Sequence, residues 1–145
     1  MDDYKSIQYS VNAFKDLSAD DLVALKDINN RIQRFQGEWG IHHDSERTES
    51  GAMTFPWVEQ QPLIQEFVEF VYDKNLMVKF NWPEWQEGRD WYALQDDSKY
   101  AKLDVETCLK LLTAVIRNDR FNEGALVRAF EDGSFPKIIQ KLMTL

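Results

Sequence analysis

Arg117-Asn118-Asp119-Arg120-Phe121-Asn122-Glu123-Gly124, closing at Phe130-Glu131-Asp132-Gly133, puts charged side chains of both signs and a glycine between two amphipathic stretches. Upstream, Asp104 is an N-cap residue for a helix over 105–117 whose buried face is Cys108, Leu111, Leu112, Val115 and Ile116. Downstream, Asn122 is placed to cap a helix with Leu126 and Phe130 on one side, and Gly133 to stop it in the left-handed conformation. Ser134 and Pro136 then open a last helix carrying Ile138, Ile139 and Leu142. The second half of the chain reads as helix, corner, helix, corner, helix.

The same signals continue toward the N-terminus. Pro62 stands at the start of a helix through Leu63, Ile64, Phe67, Val68, Phe70 and Val71, apolar over most of its circumference and so expected to be buried. Ser18 caps an earlier helix with Asp21 at its third position and Leu17 and Leu22 as a staple. Its stripe is Leu22, Leu25, Ile28, Ile32 and Phe35, ended by Gly37. Tyr4, Ile7, Val11 and Phe14 suggest a first helix, although Ile7–Val11 also fits an alternating strand.

Residues 36–61 are too long for a bare loop. Trp39-Gly40-Ile41 and Met53-Thr54-Phe55 flank the polar tip His43–Gly51, the pattern of a β-hairpin with a mobile end. Leu76-Met77-Val78-Lys79-Phe80 reads as a strand joining it, Asn81-Trp82-Pro83 begins a short helix that includes Trp85, Trp91 and Tyr92, and Asp96-Asp97-Ser98 is a polar connection. The fold expected is mainly α (α+β): one domain over 1–145, a helical bundle of about seven helices with a small antiparallel sheet from 39–41, 53–55 and 76–80.

A chain of 145 residues supports one sizeable core. Its net charge of −8 disfavours nucleic acid and anionic membranes as partners. Residues 1–72 hold 13 acids and 6 bases, net −7, against 12 and 11, net −1, in 73–145, so a local basic patch in the second half stays open. The single cysteine, Cys108, rules out an internal disulfide and reads as a small buried hydrophobe. The acidic opening Met1-Asp2-Asp3 carries no signal-peptide pattern and no stretch is apolar enough to span a membrane, so a cytoplasmic location is expected.

Several ordered motifs from Pro56 onward carry a resemblance: Trp57-Val58, the helix from Phe67 to Tyr72, Phe80-Asn81-Trp82-Pro83-Glu84-Trp85, Asp104-Val105-Glu106-Thr107, Leu111 through Arg117, Asp119-Arg120-Phe121, Glu123-Gly124 and Phe130-Glu131-Asp132-Gly133. They resemble a bacterial and archaeal family known only as a domain of unknown function. Members of that family often carry Asp where Asn81 stands and His where Ala125 stands. The resemblance implies kinship and brings no activity, substrate or cofactor.

Two candidate sites follow. In the first, Arg117 and Arg120 hold a phosphate or carboxylate beside the start of the helix at 123–132. The alternative is structural: Asp119 and Glu123 neutralise the arginines, and Phe121 anchors the turn in the core. Two acids match two bases, so internal pairing is the simpler account. The second is the aromatic cluster Phe80, Trp82, Trp85, Trp91 and Tyr92, in a chain with five tryptophans. Trp82 is the expected core residue, and Trp85 or Trp91 the expected surface one. His42-His43-Asp44 with Glu46 has no metal-site geometry on an extended chain, where neighbours point to opposite faces. Glu84, Glu87 and Asp90 read as a solvated helix face. No phosphate loop, nucleophile motif or zinc spacing is present, and no cofactor or metal is expected.

The expected function is a non-catalytic cytosolic module that recognises a protein partner through exposed aromatics or the hairpin tip. The alternative is an enzyme or small-ligand binder that uses Arg117 and Arg120. A concave pocket with unpaired arginines favours the second; a flat aromatic patch with paired arginines favours the first.

Overall fold

A computed structural model describes residues 3–53 and 55–145. The helices are α1 (Asp3–Lys15), α2 (Ala19–Arg34), α3 (Pro62–Asp73), α4 (Gln86–Ala93), α5 (Val105–Asn118), α6 (Ala125–Glu131) and α7 (Ser134–Met143). Strands β1 (Gly40–His43) and β2 (Trp57–Gln60) pair antiparallel, and 3-10 turns fill Trp82–Glu84 and Asp97–Lys102. The protein is mainly α with a small antiparallel sheet, as its periodicity predicts. α5 is the central rod: it packs against α1, α6 and α7, while α2 bridges α7 and α3. Cys108, Leu109, Leu111, Leu112 and Ile116 of α5 meet Phe67, Phe130, Phe135, Ile138 and Ile139 in one apolar cluster.

Local signals set most helix ends. The Ser18 hydroxyl accepts from the Asp21 N–H at 3.1 Å, and the Asp104 carboxylate accepts from the Thr107 N–H at 2.8 Å. Pro62 occupies the first turn of α3, where its missing N–H costs nothing. α1 is helical, which resolves the helix-or-strand ambiguity at 7–11. α2 stops at Arg34, with Phe35 rather than Gly37 as its cap. A polar link crosses the core edge: Asn29 Nδ2 donates to Gln140 Oε1 at 2.9 Å, and Gln33 Nε2 donates to the Pro136 carbonyl at 2.8 Å. On the surface Arg31 grips Glu66 of α3, and this ion pair holds the Glu66 carboxyl below its ordinary range.

The sheet differs from expectation in both members beyond β1. The second strand is Trp57–Gln60, not 53–55; Met53 makes a lone bridge to Arg47, and Thr54 lies outside the described residues. The third strand, 76–80, does not form. Leu76 and Val78 are buried as an alternating strand requires, but their neighbours are helices. The Val78 N–H donates to Thr113 Oγ1 of α5 at 3.0 Å, and Ser10 Oγ of α1 donates to the Met77 carbonyl at 3.1 Å. Two helix hydroxyls supply partners that a neighbouring strand otherwise would. Asn75, at φ 62°, turns the chain into this slot.

β1 and β2 lie over α6. Gly40 is the contact point: a β-carbon there would stand 2.5 Å from Val127 Cγ1 and 3.0 Å from Val58 Cγ1. His42, Val58 and Gln60 share that inner side, with His42 Nε2 3.8 Å from Glu131. Ile41, His43, Trp57 and Glu59 alternate outward.

Candidate functional site

The corner after α5 is built around Asp119. Its Oδ1 accepts the N–H groups of Gly124 and Leu126, each at 3.1 Å, and its Oδ2 takes Gln60 Nε2 at 3.4 Å. This carboxylate therefore caps α6 from across the turn and ties it to β2. Asn122, the expected cap, instead accepts from Arg128 Nη2 at 3.1 Å. The difference arises because Gly124, at φ 90°, sets the helix start two residues later than the sequence pattern suggests.

The other members of the quartet do not form an ion-pair knot. Among the described residues, no ion pair joins the side chain of Arg117 or Arg120 to that of Asp119 or Glu123. Arg120 is exposed and donates to the Tyr72 hydroxyl at 3.0 Å; Arg117 is half-buried; the Glu123 carbonyl accepts from Arg128 Nη1 at 3.4 Å. Phe121 does not anchor the turn. It is 80% exposed and leans on Trp82 at 6.2 Å, because Gly124 and Leu126 occupy the buried positions of this corner.

A concavity lies beside this corner, a groove of about 580 Å³ between α4 and α6. One wall is Trp82, Pro83, Trp85, Arg89 and Tyr92. The other is Asn118 of α5 with Asn122, Arg128 and Asp132 around α6, closed at one end by Ser134. Small residues make the room: Ala114, Ala125 and Ala129 form the floor. Gly88 is pressed under Trp85, where a β-carbon would sit 2.4 Å from Cε3 of the indole.

The groove has a direction. Arg128 folds back to Asn122 and Glu123 at the start of α6, and Arg89 Nη2 donates to the carbonyl of Pro83, whose neighbour Trp82 meets Phe121 of the same corner. The donors of both guanidinium groups meet carbonyl and carboxamide oxygens, and neither has a carboxylate within 4 Å among the described residues. At the other end Asp132 Oδ1 accepts the Ser134 N–H at 2.7 Å, and Tyr92 stands beside it. Burial, the Asp132 carboxylate and Tyr100 push the Tyr92 hydroxyl well above its ordinary range, so it keeps its proton.

Trp82, Trp85 and Trp91 are all half-buried, Trp85 and Trp91 packed against the core. Trp85 lines the groove but also packs on the core, with Phe80 edge-on at 5.4 Å and the Lys110 ammonium 4.7 Å over its ring. Trp91 is half-buried outside the groove, its Nε1 donating to the Lys99 carbonyl at 3.3 Å and Lys99 Nζ 4.3 Å over its ring. Trp82, expected in the core, sits half-buried at the groove mouth. Gly88 is the reason: without a side chain it lets the Trp85 indole fold inward over α4, and Trp82 is left at the rim. Arg89 and Arg128 carried no sequence signal, since each is an isolated cation whose neighbour in the site is 39 positions away. Of the two positions where the resembled family differs, Ala125 lines the groove and Asn81 donates to Glu84 at 3.0 Å.

Elsewhere, His43 stacks on Trp57 at 4.1 Å with its buried Nε2 3.8 Å from Glu59 and without a hydrogen-bond partner, and Asp90 accepts from Gln86 at 2.8 Å. Cys108 is fully buried, and burial with the nearby Asp104 raises its thiol to about 12. Among the described residues no group of three or more His, Cys, Asp and Glu is placed to hold a metal ion, and no helix is long and apolar enough to cross a membrane.

These features define a small helical protein with a hairpin arm laid over its sixth helix and a polar-ended groove beside it. The chain belongs to a family of unknown function (DUF6508), matched over residues 17–145, which is everything from the end of α1 onward. Comparisons with curated proteins and with solved structures gave no match.

Proposed function

We propose that the protein is a ligand-binding module that holds a small anionic molecule in the groove between α4 and α6. The observation that carries this is the pair Arg89 and Arg128: two guanidinium forks at one end of a concavity, without carboxylate partners, in a protein of net charge −8. Guanidinium groups bind phosphate and carboxylate through paired N–H donors, and Asn118 and Asn122 add further donors around them. About 580 Å³ suits a ligand of metabolite size. The reading concerns binding and not turnover: the groove holds groups that orient a ligand, and its one perturbed side chain, Tyr92, is held protonated.

Thermal unfolding with phenyl phosphate tests it, against chloride at equal ionic strength. The phosphate ester is expected to raise the melting temperature of the parent and not that of the Arg89→Ala, Arg128→Ala double variant. An equal rise in both, or none in the parent, would overturn the reading.

A second reading rests on the hairpin arm. Phe55 is 87% exposed, and Ile41, Met53 and Trp57 are exposed beside it, an unusual concentration of large apolar side chains on one projection. They suit docking to a protein partner. Chemical-shift mapping during titration with a candidate partner tests this, and shifts confined to the groove would sink it. Both readings suit a protein of the bacterial cytoplasm, since the thiol of Cys108 is free and the surface is acidic.

A further inference from the structure

Arg128 and Asp132 stand four residues apart at α6, a spacing that ordinarily brings opposite charges together on a helix surface. Here they part. The Arg128 guanidinium turns back to Asn122 Oδ1 and the Glu123 carbonyl, while Asp132 holds the opposite end of the groove with Oδ1 on the Ser134 N–H. Among the described residues, Oδ2 of Asp132 has no hydrogen-bond partner, and no ion pair joins Asp132 to any base. The seven residues of α6 separate the two ends by roughly 10 Å, at about 1.5 Å of rise per residue. Between them the groove presents Pro83 and the edges of Trp82 and Trp85 above an alanine floor.

We propose that the groove selects a ligand with two unlike ends: an anionic group at Arg89 and Arg128, an apolar or aromatic body, and an ammonium group at Asp132 and Tyr92. This deepens the groove reading and rests on it. An ammonium has three donors and no acceptor. The free Asp132 oxygen takes one of them as a charge-assisted hydrogen bond, and the Tyr92 oxygen accepts another. Because the Tyr92 hydroxyl stays protonated at neutral pH, that end carries a single negative charge, matched to a single cation. A ligand with anions at both ends would meet the Asp132 carboxylate and be rejected by like charge.

Calorimetric titration with two probes tests the proposal: phenyl phosphate, and 4-(aminomethyl)phenyl phosphate, which adds an ammonium at the far end of the ring. The parent is expected to bind the amine about tenfold more tightly, as one charge-assisted contact allows. Asp132→Asn keeps an oxygen for the Ser134 N–H and is expected to abolish that preference, the amine losing affinity relative to phenyl phosphate. Tyr92→Phe is expected to reduce the preference about threefold, the size of a single neutral hydrogen bond. Circular dichroism checks that both variants are folded. Equal affinity of the parent for the two probes, or an equal loss of both in Asp132→Asn, overturns the two-ended ligand and leaves the anion groove standing. Failure of both probes to bind the parent overturns the groove reading itself.

Discussion

The carboxylate of Asp119, just past the end of α5, receives the backbone N–H of Gly124 at 3.1 Å and so starts α6 from five residues away. One side chain thus closes the corner between the two helices that form the base of the groove, and through Gln60 it fixes the hairpin above them. This gives the junction its polar character; charge neutralisation among Arg117, Arg120 and Glu123 does not.

Asp119→Ala is accordingly expected to cost about 1–2 kcal/mol, the upper range for loss of a helix cap. Asn122→Ala and Arg120→Ala, both exposed, should each stay within about 0.5 kcal/mol. Urea denaturation of the three variants checks the order. Equal losses at Asp119 and Asn122 would remove Asp119 from its role.

Two glycines separate conformational strain from packing. Gly133 has φ 86°, and a β-carbon there would meet nothing within 4 Å, so Gly133→Ala should cost about 1 kcal/mol from backbone strain alone. Gly88 has no such φ but lies against the Trp85 ring, so Gly88→Ala must displace that indole. It should change tryptophan emission and weaken ligand binding in the groove, whereas Gly133→Ala should change neither.

Acid dependence follows from Asp104. The Thr107 hydroxyl, with its backbone N–H, holds the Asp104 carboxyl below its ordinary 3.8, so the folded state favours the ionised form. Its contribution is complete above the unfolded value and is lost as pH falls through the lower folded one. Asp104→Ala should therefore cost about 1 kcal/mol at pH 7. The gap between parent and variant should shrink steadily below about pH 4. A gap that widened with acid would contradict the cap.

Limited trypsin digestion should cut first after Arg47. That residue is exposed in the long connection between β1 and β2, held there by a lone bridge to Met53 and a turn at Thr48–Gly51. Little apolar burial resists local opening at such a site. First cleavage within α5 or α7 would show that the arm is the more rigid part.

Helix identities and most of their ends were determined by the sequence itself, because a cap or a stop depends on residues three or four apart. Ser18, Pro62, Asp104 and Gly133 each act on their own immediate neighbours and are legible without a fold. Tertiary structure decided whatever depends on a partner distant in the chain. Leu76–Phe80 has the alternation of a strand, yet hydroxyls of Ser10 and Thr113 took its backbone groups, and no pattern local to 76–80 announces them. Trp82 and Trp85 stand three positions apart; which of them packs on the core was settled by the space Gly88 leaves under one ring. The groove is the extreme case. Arg89, Arg128 and Asp132 line one groove only because α4 and α6 both border the stretch Ala114–Asn118 of α5, and periodicity within each helix specifies a buried face without specifying what the opposite face will meet.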